Sequence, residues 1–329
     1  MTLGFGAGPA TTRPHLRERA LWSVGLFVAL AVVLAWLVAL PLWLGDGLAT
    51  PWFPVVAIAM MMTPTIAALA VVLFVEPSPH KAATLGLWPL RPVRRLIGYA
   101  ALGIVVSIVL VLAALPVGAL FGVYPADFVH FSAFQQTLDE NSGGAELPLP
   151  IGALVAIQLI TLPVASLINL IPALGEELGW RGWLLPKLMP LGTLWALLIS
   201  GIIWGLWHAP LILLGYNYPS APGWLGVTAM VIMCILVGAV FSWLRLRSGS
   251  IWPPALAHAA FNGAGGSHLL FARAGEHIDT TQATILGWSG WIVPLALVVL
   301  LAATGQFTPR DGRPTGTDEQ EAVTRGVAT

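Results

Sequence analysis

Long apolar runs separated by short polar connections dominate the chain. Eight such runs lie between residues 20 and 304, and each reaches about the 20 residues that an α-helix needs to cross a bilayer. They are Ala20–Leu44, Pro51–Val75, Leu96–Phe121, Pro150–Leu174, Thr193–Tyr216, Trp224–Leu246, Ile251–Phe271 and Leu286–Thr304. The pattern predicts an all-α, polytopic integral membrane helix bundle of about eight transmembrane helices.

The two ends of the chain are polar. Residues 1–18 carry basic residues and precede an apolar run longer than the about 7–15 residues of a signal peptide, so we interpret that run as a retained first span. Residues 305–329 are rich in Gly, Thr and charge, which is typical of disorder. The predicted organisation is a cytoplasmic arm (1–18), a helical bundle (19–304) and a disordered cytoplasmic tail (305–329).

The basic residues predict the orientation of the bundle. Lys and Arg accumulate in cytoplasmic connections. With eight spans and a cytoplasmic N-terminus, only Arg273 of the 15 Lys and Arg residues falls in an outer connection. This bias supports the span count and places both termini, and the region of Glu176, on the cytoplasmic side of a plasma or inner membrane.

Composition narrows the function classes. The chain is 57% apolar and 9% charged, against about 25% charged in a soluble domain, so lipid is a partner of most of it. Its 15 basic residues balance 15 acidic ones, which gives no reason to expect nucleic-acid binding. The single cysteine, Cys234, excludes an internal disulfide and a multi-cysteine metal site, and its apolar surroundings favour a small buried residue.

Two acids and a base stand close together beside an apolar run, at Glu176, Glu177 and Arg181. If a helix begins at Gly175, Glu177 and Arg181 are i, i+4 and can form an ion pair, while Glu176 points about 100° away. This spacing predicts one neutralised and one free carboxylate, and the free one can act as a general base. An interfacial helix start with a salt bridge explains the same residues.

The fifth span contains a stripe of Gly201, Trp204, Gly205 and His208 with helical spacing. Small residues allow another helix to approach closely, so the stripe is expected to face the bundle interior. A histidine inside a span suggests function by default. A buried histidine that only hydrogen-bonds to a neighbour is the competing interpretation.

The seventh span offers a second polar pair, His258 and Asn262, at i, i+4 on an otherwise apolar helix. Taken alone, this pair could simply hold two helices together. Taken with the other two segments, the residue types match what amide hydrolysis needs: a base for water, a donor to the leaving group and donors to an oxyanion.

The ordered triple Glu-Glu-x-x-x-Arg at 176–181, aromatic-x-x-x-His at 204–208 and His-x-x-x-Asn at 258–262 resembles a known family. It is similar to the CAAX-protease and bacteriocin-processing (CPBP) family of intramembrane proteases, which includes the Rce1-type prenyl-protein endopeptidases and Abi proteins. The resemblance covers about residues 150–270, so we take the protease core as about 150–271. Trp204 departs slightly from the family's second motif, in which phenylalanine is more often expected at this position.

The resemblance implies roles for these residues. Glu176 would activate water, assisted by His208, while His258 and Asn262 would stabilise the oxyanion. The residues that would support the site structurally are Glu177, Arg181 and Trp204.

Metal dependence is left open by the residues. Glu176, His208 and His258 could supply three Zn²⁺ ligands, yet neither His-x-x-x-His nor His-Glu-x-x-His is present. We favour a mechanism that requires no cofactor. The two histidines also pose a problem of depth, because at 1.5 Å per residue His258 lies roughly 10 Å inside its span and His208 roughly 22 Å inside the fifth. The fifth helix is therefore expected to start below the membrane surface or to tilt strongly.

The predicted function is that of a glutamate-dependent intramembrane endopeptidase of the CAAX-prenyl-protease-like type. Its predicted substrate is a membrane-associated or lipidated peptide or protein. One alternative is a non-proteolytic membrane scaffold or immunity protein of the same fold. A less favoured one is a proton-coupled transporter that uses the buried carboxylate and histidines as a relay.

Overall fold

The computed structural model describes residues 13–143 and 149–307, with side chains from residue 21 onward. Within these ranges the chain is helical, with one isolated β-bridge between Ala126 and Ala272. The α-helices are α1 (Arg13–Leu44), α2 (Phe53–Met61), α3 (Thr63–Ala70), α4 (Lys81–Thr84), α5 (Val93–Leu120), α6 (Ser132–Ser142), α7 (Ile151–Ile168), α8 (Leu170–Glu177), α9 (Leu185–Leu188), α10 (Thr193–Trp207), α11 (Ala209–Ile212), α12 (Gly223–Ser248), α13 (Trp252–Ala264) and α14 (Trp288–Ala303). Two π-helices continue α3 (Val71–Val75) and α8 (Leu178–Leu184), and 3₁₀ turns cover Gly47–Ala49, Met189–Leu191 and Gly265–Leu270.

In the part of the chain that the structure describes, five helical stretches are long and apolar enough to cross a membrane, namely Leu21–Leu44, Phe53–Val75, Val93–Leu120, Ile151–Ile168 and Gly223–Ser248. The other three predicted spans correspond to shorter helices, α10 with 15 residues, α13 with 13 and α14 with 16. Large apolar side chains such as Phe74, Leu120 and Ile168 remain more than four-fifths exposed, as expected of a surface covered by lipid. The prediction of an all-α polytopic membrane bundle is confirmed.

Several predicted boundaries are shifted or interrupted. Helix α1 begins at Arg13, inside the predicted arm, while residues 1–12 and 308–329 lie outside the described residues. The fourth span is broken at Asn169 and the fifth at His208. Pro172 and Pro210 explain the breaks, because proline lacks the N–H that would continue the helix and clashes with the preceding turn. The break at His208 leaves this histidine at the end of α10.

Helix α13 lies at the centre of the bundle and packs against α5, α7, α8 and α12. Small side chains permit this position: Ala255, Ala257, Ala259 and Ala260 are fully buried. On the α5 side, a Cβ at Gly103 would lie 3.1 Å from the Cβ of Ala257. The close approach on several sides brings His258 into the interior of the protein.

Helices α10 and α12 meet through two glycines, as the stripe in the fifth span predicts. A Cβ at Gly201 would lie 2.6 Å from Cα of Ile235, and one at Gly205 would lie 2.5 Å from Cα of Val231. These neighbouring atoms are backbone and cannot rotate away. Glycine at both places therefore fixes the distance between α10 and α12.

We expect Gly205→Ala to destabilise the protein by about 1–3 kcal/mol, because its methyl group would force two helix backbones apart. Thermal unfolding in detergent measures the effect. Gly98→Ala is the matched control: Gly98 lies in α5 with no atom within 4 Å of its Cβ position, so alanine there should be neutral or slightly stabilising. Equal unfolding temperatures for the two variants would contradict this account of α10–α12 packing.

Candidate active site

Gly175 lies inside α8 and does not begin a helix, so that expectation is wrong. Gly175 instead allows close packing against the junction of α2 and α3, because a Cβ there would lie 2.2 Å from Cε of Met62. Gly179 does the same against α3, since a Cβ there would lie 2.4 Å from Cβ of Pro64. Thr65 adds a hydrogen bond between the two helices, since its Oγ1 donates to the carbonyl of Gly175 at 2.6 Å. The two carboxylates are thus held deep inside the protein, at the end of α8.

The π-helix Leu178–Leu184 directly follows the two glutamates. Short π-helical segments are rare and occur frequently at functional sites. Every residue of this segment except Leu178 is buried. The segment places the side chains of Trp180 and Arg181 beside the carboxylates that precede them.

Glu176 is almost fully buried, and two tryptophans hold one of its oxygens. The indole Nε1 of Trp204 donates to Oε2 at 2.7 Å, and that of Trp180 donates to the same oxygen at 3.4 Å. The other oxygen, Oε1, accepts no hydrogen bond from the described residues. One side of the carboxylate is therefore fixed, and the other is available to a water or substrate.

Glu177 points elsewhere and forms the predicted ion pair. Its Oε1 accepts from Nη1 of Arg181 at 2.7 Å and from Nδ1 of His258 at 2.9 Å. The three side chains are buried. Oε2 of Glu177 is sealed from solvent without a donor among the described residues. The predicted difference between a neutralised and a free carboxylate is thus present in the geometry.

Aromatic rings enclose the guanidinium of Arg181. It lies 4.3 Å from the ring centroid of Trp204 and 5.4 Å from that of Phe241, within the range of cation–π attraction. Gly238 leaves the necessary space, because a Cβ there would lie 2.8 Å from Nη2 of Arg181. At the backbone, Nε of Arg245 donates to the carbonyl of Arg181 at 3.2 Å. Helix α12 therefore holds Arg181 at both its side chain and its main chain.

In both site histidines, one ring nitrogen is hydrogen-bonded to another group of the protein. Nδ1 of His258 lies against the Glu177 carboxylate, and Nδ1 of His208 lies 2.8 Å from the carbonyl of Trp204. Because a carbonyl or carboxylate oxygen only accepts, Nδ1 carries the proton in each case. In the neutral rings, Nε2 is then the atom that can accept a proton or hydrogen bond.

Trp204 contacts both of the histidines whose expected depths differ. The ring of Trp204 lies 5.4 Å from that of His258 and 5.8 Å from that of His208, measured between centroids. The large indole therefore spans the distance between the two histidines. Phe241 stacks on His258 with 5.4 Å between the ring centroids, which restricts the plane of the imidazole.

Asn262 is the predicted site residue that the structure does not bring into the cluster. Its side chain is exposed and hydrogen-bonds to none of the described residues, although His258 one turn earlier is buried. Sequence reasoning missed Trp180 and Phe241. Trp180 could have been found from its i+4 spacing to Glu176, whereas Phe241 lies on α12 outside all three motifs.

The candidate zinc ligands are Glu176, His208 and His258. Among the described residues, no three His, Cys, Asp or Glu side chains gather with the geometry of a metal site. Oε2 of Glu176 is engaged by indole N–H groups, which leaves Oε1 as the carboxylate oxygen open to a ligand. The cofactor-free mechanism stays a prediction.

The fold and the site define a polytopic membrane protein with a buried carboxylate–histidine centre. Comparison with known proteins shows what the segment that builds this centre is similar to. Residues 158–264 match the family model described as "Type II CAAX prenyl endopeptidase Rce1-like". The chain is also 33% identical over 92 residues to CAAX prenyl protease 2 of Methanococcus maripaludis, a match covering 26% of this chain and 33% of that protein.

The chain thus spans about a third of the length of the curated relative that it matches. The family match contains all three motifs, from Glu176 to Asn262. The resemblance inferred from the sequence is confirmed: the segment that builds the site matches the Rce1-like family model.

Proposed function

We propose that the protein is an intramembrane endopeptidase that cleaves a peptide bond in a membrane-associated or lipidated substrate by means of a water activated by Glu176. The observation that carries this proposal is the state of the Glu176 carboxylate. One oxygen is held by two indole N–H groups, and the other has no donor among the described residues. A buried carboxylate with one oriented, available oxygen is suited to general-base work.

The proposed chemistry follows from these contacts. Oε1 of Glu176 takes a proton from water while the water oxygen adds to the carbonyl carbon of the substrate. His208, with Nδ1 on the Trp204 carbonyl, helps to orient that water through Nε2. The protonated Glu176 then gives its proton to the departing amine as the C–N bond breaks. The base is thereby restored for the next turnover.

The negative charge on the substrate oxygen needs hydrogen-bond donors in the intermediate. Asn262 is one proposed donor, and His258 is the other, as an imidazolium that keeps Nδ1–H on Glu177 and donates from Nε2–H. Glu177 fixes the ring of His258, and the exposed amide of Asn262 is free to meet a substrate. Glu177 and Arg181 support the site by holding His258 and the π-helix in place.

The experiment that tests this function measures cleavage of a panel of membrane-tethered peptides by the purified protein in lipid vesicles. Each peptide is offered with and without a prenyl group and with and without a strong chelator. We expect cleavage that survives chelation and is faster for the lipidated peptides. Loss of cleavage on chelation, restored by zinc, would overturn the metal-free mechanism. Absence of cleavage for the whole panel would favour the non-proteolytic scaffold.

A further inference from the structure

Trp204 contacts two of the proposed catalytic residues, one through its side chain and one through its main chain. Its side chain donates to Glu176 Oε2 at 2.7 Å, and its own carbonyl accepts from Nδ1 of His208 at 2.8 Å. One residue thus contacts the proposed base through its side chain and the neighbouring histidine through its main chain. A phenylalanine ring here would keep the second contact and lose the first.

We propose that Trp204 is a positioning residue whose indole N–H holds Oε2 of Glu176 and thereby directs Oε1 towards the reacting water. This inference rests on the proposed function. Trp180 donates to the same oxygen over a longer distance, 3.4 Å against 2.7 Å. Because hydrogen bonds weaken with distance, Trp204 is the main donor and Trp180 the auxiliary one.

The surroundings of Trp204 fix the direction of its N–H group. Arg181 lies over its ring at 4.3 Å, and the rings of Phe241 and His258 lie 6.0 Å and 5.4 Å away. Next to it in the chain, Gly205 brings α10 into backbone contact with α12. A large ring packed on several sides cannot change rotamer without displacing its neighbours. The donor is therefore in place before any substrate binds, as preorganised catalysis requires.

The contact is strong because the acceptor is a carboxylate in a buried setting. Hydrogen bonds to charged groups contribute more free energy than those between neutral groups. A carboxylate that has lost its donor can rotate about its terminal side-chain bond. Loss of the N–H should therefore slow the chemical step more than it weakens substrate binding. We expect kcat to fall about 10- to 100-fold, with KM changed by less than about threefold.

The test compares Trp204→Phe with replacement of Trp204 by benzothienylalanine, which keeps the shape of the indole but has sulfur in place of the N–H. Both changes should lower kcat to a similar degree with KM retained, and Trp180→Phe should have a smaller effect. Trp183→Phe is the matched control: this buried tryptophan belongs to the same π-helix, and its N–H finds no acceptor among the described residues. It should leave kcat unchanged. Full kcat in the benzothienylalanine protein would overturn the inference, as would a rise in KM alone.

Infrared spectroscopy separates failure of this inference from failure of the proposed function. The carboxyl band of Glu176 is isolated as the difference between the wild type and Glu176→Gln. The band should shift in the benzothienylalanine protein and stay in place in Trp183→Phe, whether or not any peptide is cleaved. An unshifted band would refute the contact itself. Cleavage that depends on Glu176 but not on the Trp204 N–H would refute only the positioning role.

Discussion

Replacing Glu176 by glutamine is expected to slow peptide cleavage at least about 100-fold without unfolding the protein. Glutamine has nearly the same shape, and its amide oxygen can still accept from the Trp204 indole. It cannot take a proton from water, so the proposed base is lost while the packing around it is kept. Initial rates of peptide cleavage, measured beside thermal unfolding in the same detergent, report the two effects separately.

Glu140→Gln is the matched control for this change. Glu140 is an exposed carboxylate on α6 whose partner among the described residues is the side chain of Gln136, so its replacement should alter neither rate nor stability. Wild-type activity in Glu176→Gln would remove Glu176 from the mechanism. A strongly lowered unfolding temperature would show instead that its role is structural.

The second large effect is expected at Glu177. Its replacement by alanine leaves Arg181 and His258 buried without their shared carboxylate. Removing one partner of a buried ion pair is destabilising by about 3–5 kcal/mol, because an uncompensated charge remains in the interior. We expect a clear fall in unfolding temperature, accompanied by loss of cleavage because His258 and the π-helix lose their anchor. Arg181→Ala should lower stability and activity in the same way.

Glu76→Ala is the matched control for Glu177→Ala, because Glu76 forms an ion pair with Lys187 that is partly exposed. Both of its side chains remain about one-third exposed, so solvent screens the pair and Glu76→Ala should change stability by at most about 1 kcal/mol. Unfolding of Glu177→Ala at the temperature of Glu76→Ala would contradict the structural role of the buried network. Normal cleavage by Glu177→Ala would contradict its support of the site.

Parts of the site could be predicted because they depend on neighbours along one helix. Glu177 and Arg181 are i, i+4, and they form the ion pair that this spacing predicts. The glycines at 201 and 205 likewise meet a second helix. By contrast, the expected helix start at Gly175 is wrong, since glycine also serves close packing, and spacing alone does not distinguish the two uses.

Other contacts could not be read from spacing. Trp204 reaches Glu176 across 28 residues, and His258 reaches Glu177 across 81. Phe241 belongs to no motif and stacks on His258 because α12 and α13 pack together. Asn262 shares the helical spacing of His258 yet is exposed, because the neighbours that bury one turn of α13 do not cover the next on that side.

The sequence by itself determined that this is a helical membrane protein with acids, histidines and an arginine on three separate apolar segments. Hydropathy and helical periodicity are local properties, so they can be read along the chain. Only the tertiary structure decided that His258 joins the pair of Glu177 and Arg181, and that tryptophans hold Glu176. Those donors come from separate helices, and the packing of small residues in α10 and α13 sets the distances at which their side chains meet.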